Sequence, residues 1–240
     1  MKKVILSDRK FKELTKEKNK YFCDPSHLNH YLFRVGDELY KFDVNFLYNL
    51  KYGFKMDIDP NQIEMLCEKQ KSISKTRLPK GIVIYDNVCL GVIYDFFEGY
   101  KSFLDLHLED LDLIFSNIRS AIDKNIELLE NDIYNVDFTS RNILYREADV
   151  ELIDLDGRYI RSSKSSTVRS VYCYFLESIK AIFLENLYGK CSLEEYSEFV
   201  RELDFLCDSR KMGDNPSFDY PYEVVDKIEK SRILKIWHIN

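Results

Sequence analysis

The chain has 240 residues, a net charge of −6 at neutral pH and 45% apolar residues, with 17 Tyr and 16 Phe but one Trp and eight Gly. That composition supports a real core in one large domain or in two small lobes around a cleft. The acidic balance excludes a protein that coats nucleic acid over its whole surface, although a local basic groove is compatible with it. Six cysteines (Cys23, Cys67, Cys89, Cys173, Cys191 and Cys207) are spaced long and irregularly, with no Cys-x-x-Cys pair. A disulfide framework or a zinc ribbon needs closer pairing, so these read as reduced thiols of a cytoplasmic protein. The opening Met-Lys-Lys-Val-Ile-Leu has too short an apolar run for a signal peptide, and Asp86 and Asp95 interrupt the longest apolar region, so no membrane span is expected.

Along the chain, residues 7–20 are charge-rich, with Phe11 and Leu14 spaced for a short helix with a thin apolar edge. His27 and His30 have metal-like spacing, but strand-like residues follow and a surface turn is the expectation. Tyr31–Val35 and Glu38–Phe42 read as strands about Gly36-Asp37. In the second strand Tyr40 and Phe42 face one way and Lys41 the other. Asp59-Pro60 is a helix start, an N-cap followed by Pro at the first position, and Ile63, Leu66 and Cys67 give that helix its inner stripe. Gly81–Tyr85 and Val88–Phe97 read as strands about the hairpin turn Asp86-Asn87.

From Leu111 the period becomes helical, with Ile114, Ile118, Ala121, Ile122, Ile126 and Leu129 on one stripe. Beyond it, Ile143–Tyr145 and Val150–Ile153 flank the polar turn Arg146-Glu147-Ala148-Asp149, which signals a β-hairpin. Arg158–Ser170 reads as a loop. The rest is helical: a stripe of Val171, Tyr174, Phe175, Ile179 and Ile182 closed by Gly189, a capping box at Ser192-Leu-Glu-Glu195, and a last helix from Pro221 to about Lys230. Strands followed by helices argue α+β, with the change near Gly99. The expected division is a strand-rich lobe over 1–99, holding a charged segment of about 25 residues at its start, and a helical lobe over 100–240.

The chemistry concentrates around the hairpin. Asp137 and Asn142 lie on the loop before it, and Asp154 and Asp156 follow its second strand. A hairpin returns its end to its beginning, so a base-capable carboxylate, an amide oxygen and one or two further carboxylates come to one edge. These are hard oxygen ligands that suit Mg²⁺, which takes few carboxylates together with phosphate and water. Asp and Asn are also common turn formers, and capping the hairpin is the plain structural alternative.

The stretch from Tyr134 to Gly157 resembles the catalytic loop and metal-binding motif of the protein kinase-like superfamily. Its nearest likeness is to the aminoglycoside phosphotransferase and bacterial sugar or lipopolysaccharide kinase branches, in which a loop Asp is followed five residues later by Asn and a hairpin leads to Ile-Asp-Phe-Asp or similar. The resemblance implies a two-lobed kinase-like fold with a reduced, strand-rich N-lobe and a mainly helical C-lobe. It implies Asp137 as catalytic base, Asn142 and Asp154 as metal ligands, and Lys41 as the lysine that contacts nucleotide phosphates. It also implies a hinge in Val92–Gly99, where the main chain at Asp95 and Phe97 would pair with adenine. ATP and Mg²⁺ are the implied nucleotide and metal.

The sequence departs from the family at defined places. No glycine-rich loop precedes Lys41, Gly36 being the only nearby glycine. Asn135 stands where the family usually has His. The helix carboxylate that would pair with Lys41 is open: alignment on Leu66 puts Gln62 there, and Glu64 or Glu68 needs a shifted register. The Arg158–Ser170 stretch lacks the Ala-Pro-Glu anchor of eukaryotic-type protein kinases, which favours a small-molecule acceptor, or none, over a protein. The leading expectation is therefore an ATP- and Mg²⁺-dependent phosphotransferase acting on a hydroxyl. The alternatives are a pseudokinase serving as a nucleotide-binding or regulatory module and, more remotely, an unrelated interaction domain.

Overall fold

Short runs of β-branched and aromatic residues, separated by tight turns, build the first part of the chain. The computed structural model describes all residues except 17–30, 44–45, 55–57, 106–110, 136, 157–163, 190, 214–215 and 232–240. His27 and His30 lie outside the described residues. The chain divides into two units, Met1–Glu98 with Leu155–Arg158, and Gly99–Asp154 with Tyr159–Asn240.

The first unit carries a five-stranded sheet of β1 (Lys2–Leu6), β2 (Tyr31–Val35), β3 (Glu38–Phe42), β4 (Gly81–Tyr85) and β5 (Val88–Asp95), in the order β1-β4-β5-β3-β2. Its helices are α1 (Asp8–Leu14), α2 (Phe46–Tyr52) and α3 (Pro60–Lys69). The expected hairpins form. Val35 pairs with Glu38 about Gly36-Asp37, and Tyr85 pairs with Val88 about Asp86 and Asn87, both at positive φ as a primed hairpin turn requires. The Asp59 side chain accepts from the Asn61 N–H at 3.0 Å and caps α3.

Residues paired across strands share a face, so register sorts the sheet into two sides. Phe33, Tyr40 and Ile93 lie in one row, and Phe42, Gly91 and Val83 in the next. This side packs on α1 and α2, with Phe42 against Phe46 at 5.1 Å and Phe11 stacked on Tyr85 at 4.3 Å. The opposite side holds the row Leu32, Lys41, Val92 and Ile82. A lysine thus stands in an otherwise apolar row. Gly91 permits this approach of β3 to β5, because a Cβ there would meet the Lys41 carbonyl oxygen and Phe42 Cδ1, each at 2.6 Å.

The second unit holds a three-stranded sheet of β6 (Lys101–Ser102), β7 (Ile143–Arg146) and β8 (Asp149–Leu152), in that order. Around it are α4 (Leu111–Glu130), α5 (Lys164–Leu187), α6 (Leu193–Leu206) and α7 (Tyr220–Glu229). The α4 stripe expected from the sequence is buried, except that Ile126 is half-buried. The Ser192–Glu195 capping box forms in both directions. Helix α4 grips the hairpin twice. Asn117 Nδ2 donates to the Glu147 carbonyl in the turn at 2.9 Å, and Lys124 Nζ pairs with Glu151 Oε2 of β8 at 3.2 Å, both side chains buried.

Several expectations are corrected. The first part of the chain contains α2 as well as the expected helices, and the opening residues form β1, parallel to β4. Residues 164–170, expected within a loop, already belong to α5. On α5 it is Tyr172, not Tyr174, that is buried, with its hydroxyl donating to the Phe218 carbonyl at 3.1 Å. Cys67, Cys89, Cys173, Cys191 and Cys207 are free. Burial pushes the Cys89 thiol up to about 11 and Cys207 up to about 12, so both stay protonated near neutral pH and are poor nucleophiles. Among the described residues, no helix is long and apolar enough to cross a membrane.

Two outcomes check this packing. Gly91→Ala forces β3 away from β5 and should cost about 1–3 kcal/mol in urea unfolding. An unchanged midpoint would contradict the close approach. Glu151→Leu leaves the Lys124 ammonium without this counter-charge and should cost about 3–5 kcal/mol, whereas Lys124→Met with Glu151→Leu should recover most of that loss. A double variant as unstable as the single one would mean the pair does not act as a unit.

Candidate functional site

The residues singled out by sequence fall in both units, and each group has its own local logic. In the second unit the segment from Asn135 to Asn142 is folded on itself by short-range hydrogen bonds. Asn135 is buried, and its Oδ1 accepts from the Asp137 N–H at 3.1 Å. The Asp137 carbonyl accepts from the Thr139 N–H at 2.9 Å, and the Thr139 carbonyl from the Asn142 N–H at 2.9 Å. Asn135, which stands where the resemblance leads one to expect His, thus holds the backbone of this loop. Between them Phe138 points inward and stacks on Phe175 of α5 with centroids 4.2 Å apart. An aromatic anchor on one side leaves the polar residues of the loop to the other.

The Asn142 amide has a defined orientation. Its nitrogen lies 2.9 Å from both the Asp137 carbonyl oxygen and Asp137 Oδ2. Both partners are acceptors, so the group facing them must be the NH₂, and Oδ1 is turned away from Asp137. No described residue donates to Asn142 Oδ1 or to Asp137 Oδ1. The Asn142 carbonyl in turn accepts from the Ile153 N–H at 2.9 Å. That bond closes the hairpin beyond β8 and sets Asp154 next to the loop. Asp154 itself has φ 65, in the left-handed region that side-chain-bearing residues rarely occupy. Such a conformation costs about 1–3 kcal/mol and persists only where its surroundings impose it. Asp137 and Asn142 are therefore joined by side chains, and Asn142 is joined by backbone to Ile153, the residue before Asp154, all within one unit.

In the first unit Lys41 does not face solvent. Its ammonium lies 2.8 Å from Asp156 Oδ2, with only 10% of the lysine side chain and 2% of the aspartate exposed. The question left open by sequence, which residue pairs with Lys41, has an answer outside the candidates. Glu64 and Glu68 are exposed, and Glu68 pairs with Lys71 at the surface. Gln62 is half-buried and carries no charge. The sequence contained the signal in the second Asp of Ile-Asp-Leu-Asp, but nothing in spacing alone points from Lys41 to Asp156. The turn before Lys41 is only Gly36 and Asp37, so no glycine-rich loop stands between β2 and β3.

Asp95 ends β5 opposite Glu38, and its carboxylate is held by Lys80 and, at 4.0 Å, by Arg77. The Arg77 guanidinium also lies 5.6 Å from the Phe97 ring centroid. Arg34 sits 4.1 Å over the Phe96 ring and 3.2 Å from Glu98 Oε1, and the Phe96 N–H donates to the Asp37 carbonyl at 3.0 Å. The segment leaving β5 is thus gripped by three cations that sequence reasoning passed over, since they come from β2 and from the stretch before β4. Among the described residues, no three His, Cys, Asp or Glu side chains gather into a self-sufficient metal cage.

No protein-family model and no curated protein sequence matches the chain. Solved structures do. The Neurospora crassa PAN3 pseudokinase is similar with a TM-score of 0.54 at 11% identity, over 94% of this chain and 65% of that one. A mutant of the same pseudokinase is similar with a TM-score of 0.55 at 10% identity, over 92% of this chain and 64% of that one. The chain spans about 65% of the length of the structures it matches. At such identity the likeness speaks to fold alone. Taken with the strand-rich first unit and the helical second unit, it establishes an α+β, protein kinase-like fold.

Proposed function

We propose that this protein binds Mg²⁺-ATP and transfers the γ-phosphoryl group to a hydroxyl, in the manner of the small-molecule branches of the kinase-like superfamily. The orientation of Asn142 carries this reading. Its NH₂ is committed to Asp137 on two bonds, which turns its oxygen away from Asp137, while its backbone carbonyl accepts from the N–H of Ile153, the residue before Asp154. An amide oxygen and one carboxylate fit Mg²⁺, which keeps several waters and completes its shell with phosphate oxygens. Asn142 and Asp154 are the residues that would hold it, and Mg²⁺ there would neutralise charge on the phosphates.

The chain's own groups do the rest. Asp137 Oδ2 is fixed by Asn142, and Oδ1 is the atom that orients the acceptor hydroxyl and takes its proton as the acceptor oxygen bonds to the γ-phosphorus and ADP leaves. Lys41 contributes positive charge toward the phosphates. The main chain at Asp95 and Phe97, beyond β5, is the proposed adenine contact. An acceptor of small size is in keeping with the chain's lack of an Ala-Pro-Glu anchor.

A second reading has its own support. The sequence before Lys41 has Gly36 as its only glycine, so it lacks a glycine-rich phosphate loop, and the structural neighbours named above are pseudokinases. A nucleotide-holding module without transfer fits both facts. Calorimetric titration of ATP with and without Mg²⁺, followed by an assay of ADP release over a panel of hydroxylated small molecules, separates the readings. Phosphotransfer predicts turnover that Asp137→Asn reduces about 100-fold or more while ATP still binds. It also predicts that Asp154→Ala removes the Mg²⁺-dependence of binding. Binding without turnover for any acceptor would favour the pseudokinase, and no binding at all would exclude both.

A further inference from the structure

The buried contact between Lys41 and Asp156 has a consequence for how nucleotide is held. Lys41 lies on the face of the sheet that bears Leu32, Val92 and Ile82, an apolar row in which an ammonium needs a counter-charge. Helix α3 belongs to the same unit, and its acidic residues Glu64 and Glu68 both point to solvent. The counter-charge comes instead from Asp156, two residues beyond Asp154, at 2.8 Å and almost wholly buried. A carboxylate that takes one of an ammonium's three donors fixes its direction.

We propose that Asp156 is the positioning residue for Lys41, and that the two aspartates of Ile153-Asp154-Leu155-Asp156 have separate tasks. Asp154 serves the metal, and Asp156 holds the ammonium that meets the phosphates. This rests on the nucleotide reading given above. It carries a regulatory corollary: displacement of α3 does not uncouple Lys41, because no carboxylate of that helix holds it.

The test uses the full chain and the variants Asp156→Asn, Asp154→Ala, Glu64→Gln and Glu68→Gln. ATP affinity is measured in Mg²⁺ and in EDTA, and the acylation rate of Lys41 by an amine-reactive ester is followed by mass spectrometry. Asp156→Asn should weaken ATP binding about tenfold or more in both buffers and speed Lys41 acylation several-fold. Asp154→Ala should weaken binding only in Mg²⁺. Glu64→Gln and Glu68→Gln should match the wild type in both measurements. Their surface positions keep the test decisive if Asp156→Asn fails to fold, since a tenfold loss in either would overturn the proposal. Wild-type affinity and acylation in a folded Asp156→Asn would overturn it too, while leaving the nucleotide reading intact. A wild-type protein that binds no ATP in either buffer would instead remove the nucleotide reading, and the positioning role with it.

Discussion

A charged group taken out of water must bring its counter-charge with it, and this constraint organises both units. Among the described residues, two lysines are buried, Lys41 on β3 and Lys124 on α4. Each finds its partner on one short stretch of chain, Glu151 on β8 for Lys124 and Asp156 just after it for Lys41. Removing one partner from such a pair strands the other, which is far more costly than the modest net gain of forming it. The stretch from Val150 to Asp156 is thereby tied down from two directions. It ends the second unit's hairpin with Asp154, and from Leu155 it belongs to the first unit. Asp154, a candidate metal ligand, lies between the two anchored residues Glu151 and Asp156.

Local strain is consistent with that anchoring. Asp154 is held at a positive φ that a free chain would leave. It follows Ile153, whose N–H bonds the Asn142 carbonyl, and precedes the buried Asp156 by two residues. The loop opposite is equally constrained, with Phe138 seated on Phe175 and Asn135 and Asn142 fastening both ends of Asp137. Asn142 spends both amide hydrogens on a single residue, Asp137, and that arrangement makes sense if the remaining amide oxygen has a task of its own.

Much of the fold could be read from the chain because local signals and packing agree. Asp86-Asn87 and Gly36-Asp37 are turn chemistry that admits few alternatives, and the α4 stripe repeats over many turns. What escaped was set by tertiary contact. Helix α2 is short, and Leu47, Tyr48 and Tyr52 are exposed while Phe46 alone is buried, so it shows no helical stripe. Strand β1 is defined by pairing in parallel with a strand far along the chain, and Gly81 makes room for it because a Cβ there would overlap the Lys2 carbonyl. In α5, Tyr172 and Tyr174 have similar spacing claims on the core, and the Phe218 carbonyl decides between them. At the candidate site, the residues with local logic were legible: Asp137, Asn142 and Asp154 lie on one loop and hairpin. The pairing of Lys41 with Asp156 was not, because it joins residues 115 apart in sequence and no local pattern announces it.

On the proposed reading, the absence of a glycine-rich loop shifts the weight of phosphate binding onto charge. In the usual arrangement, backbone N–H groups of such a loop cradle phosphates, and a lysine adds to them. Here the sequence before Lys41 has Gly36 as its only glycine. On the proposed reading, the lysine's position then matters more than it would beside a cradle, and a flexible ammonium on a four-carbon stem is a poor positional device unless something immobilises it. Asp156 supplies that immobilisation from a buried, short-armed carboxylate. A surface glutamate on a separate helix would supply it less firmly, since it must order its own side chain and compete with water. On the proposed reading, the missing glycine loop and the buried aspartate belong to one arrangement, in which precision at Lys41 stands in for redundancy in a loop.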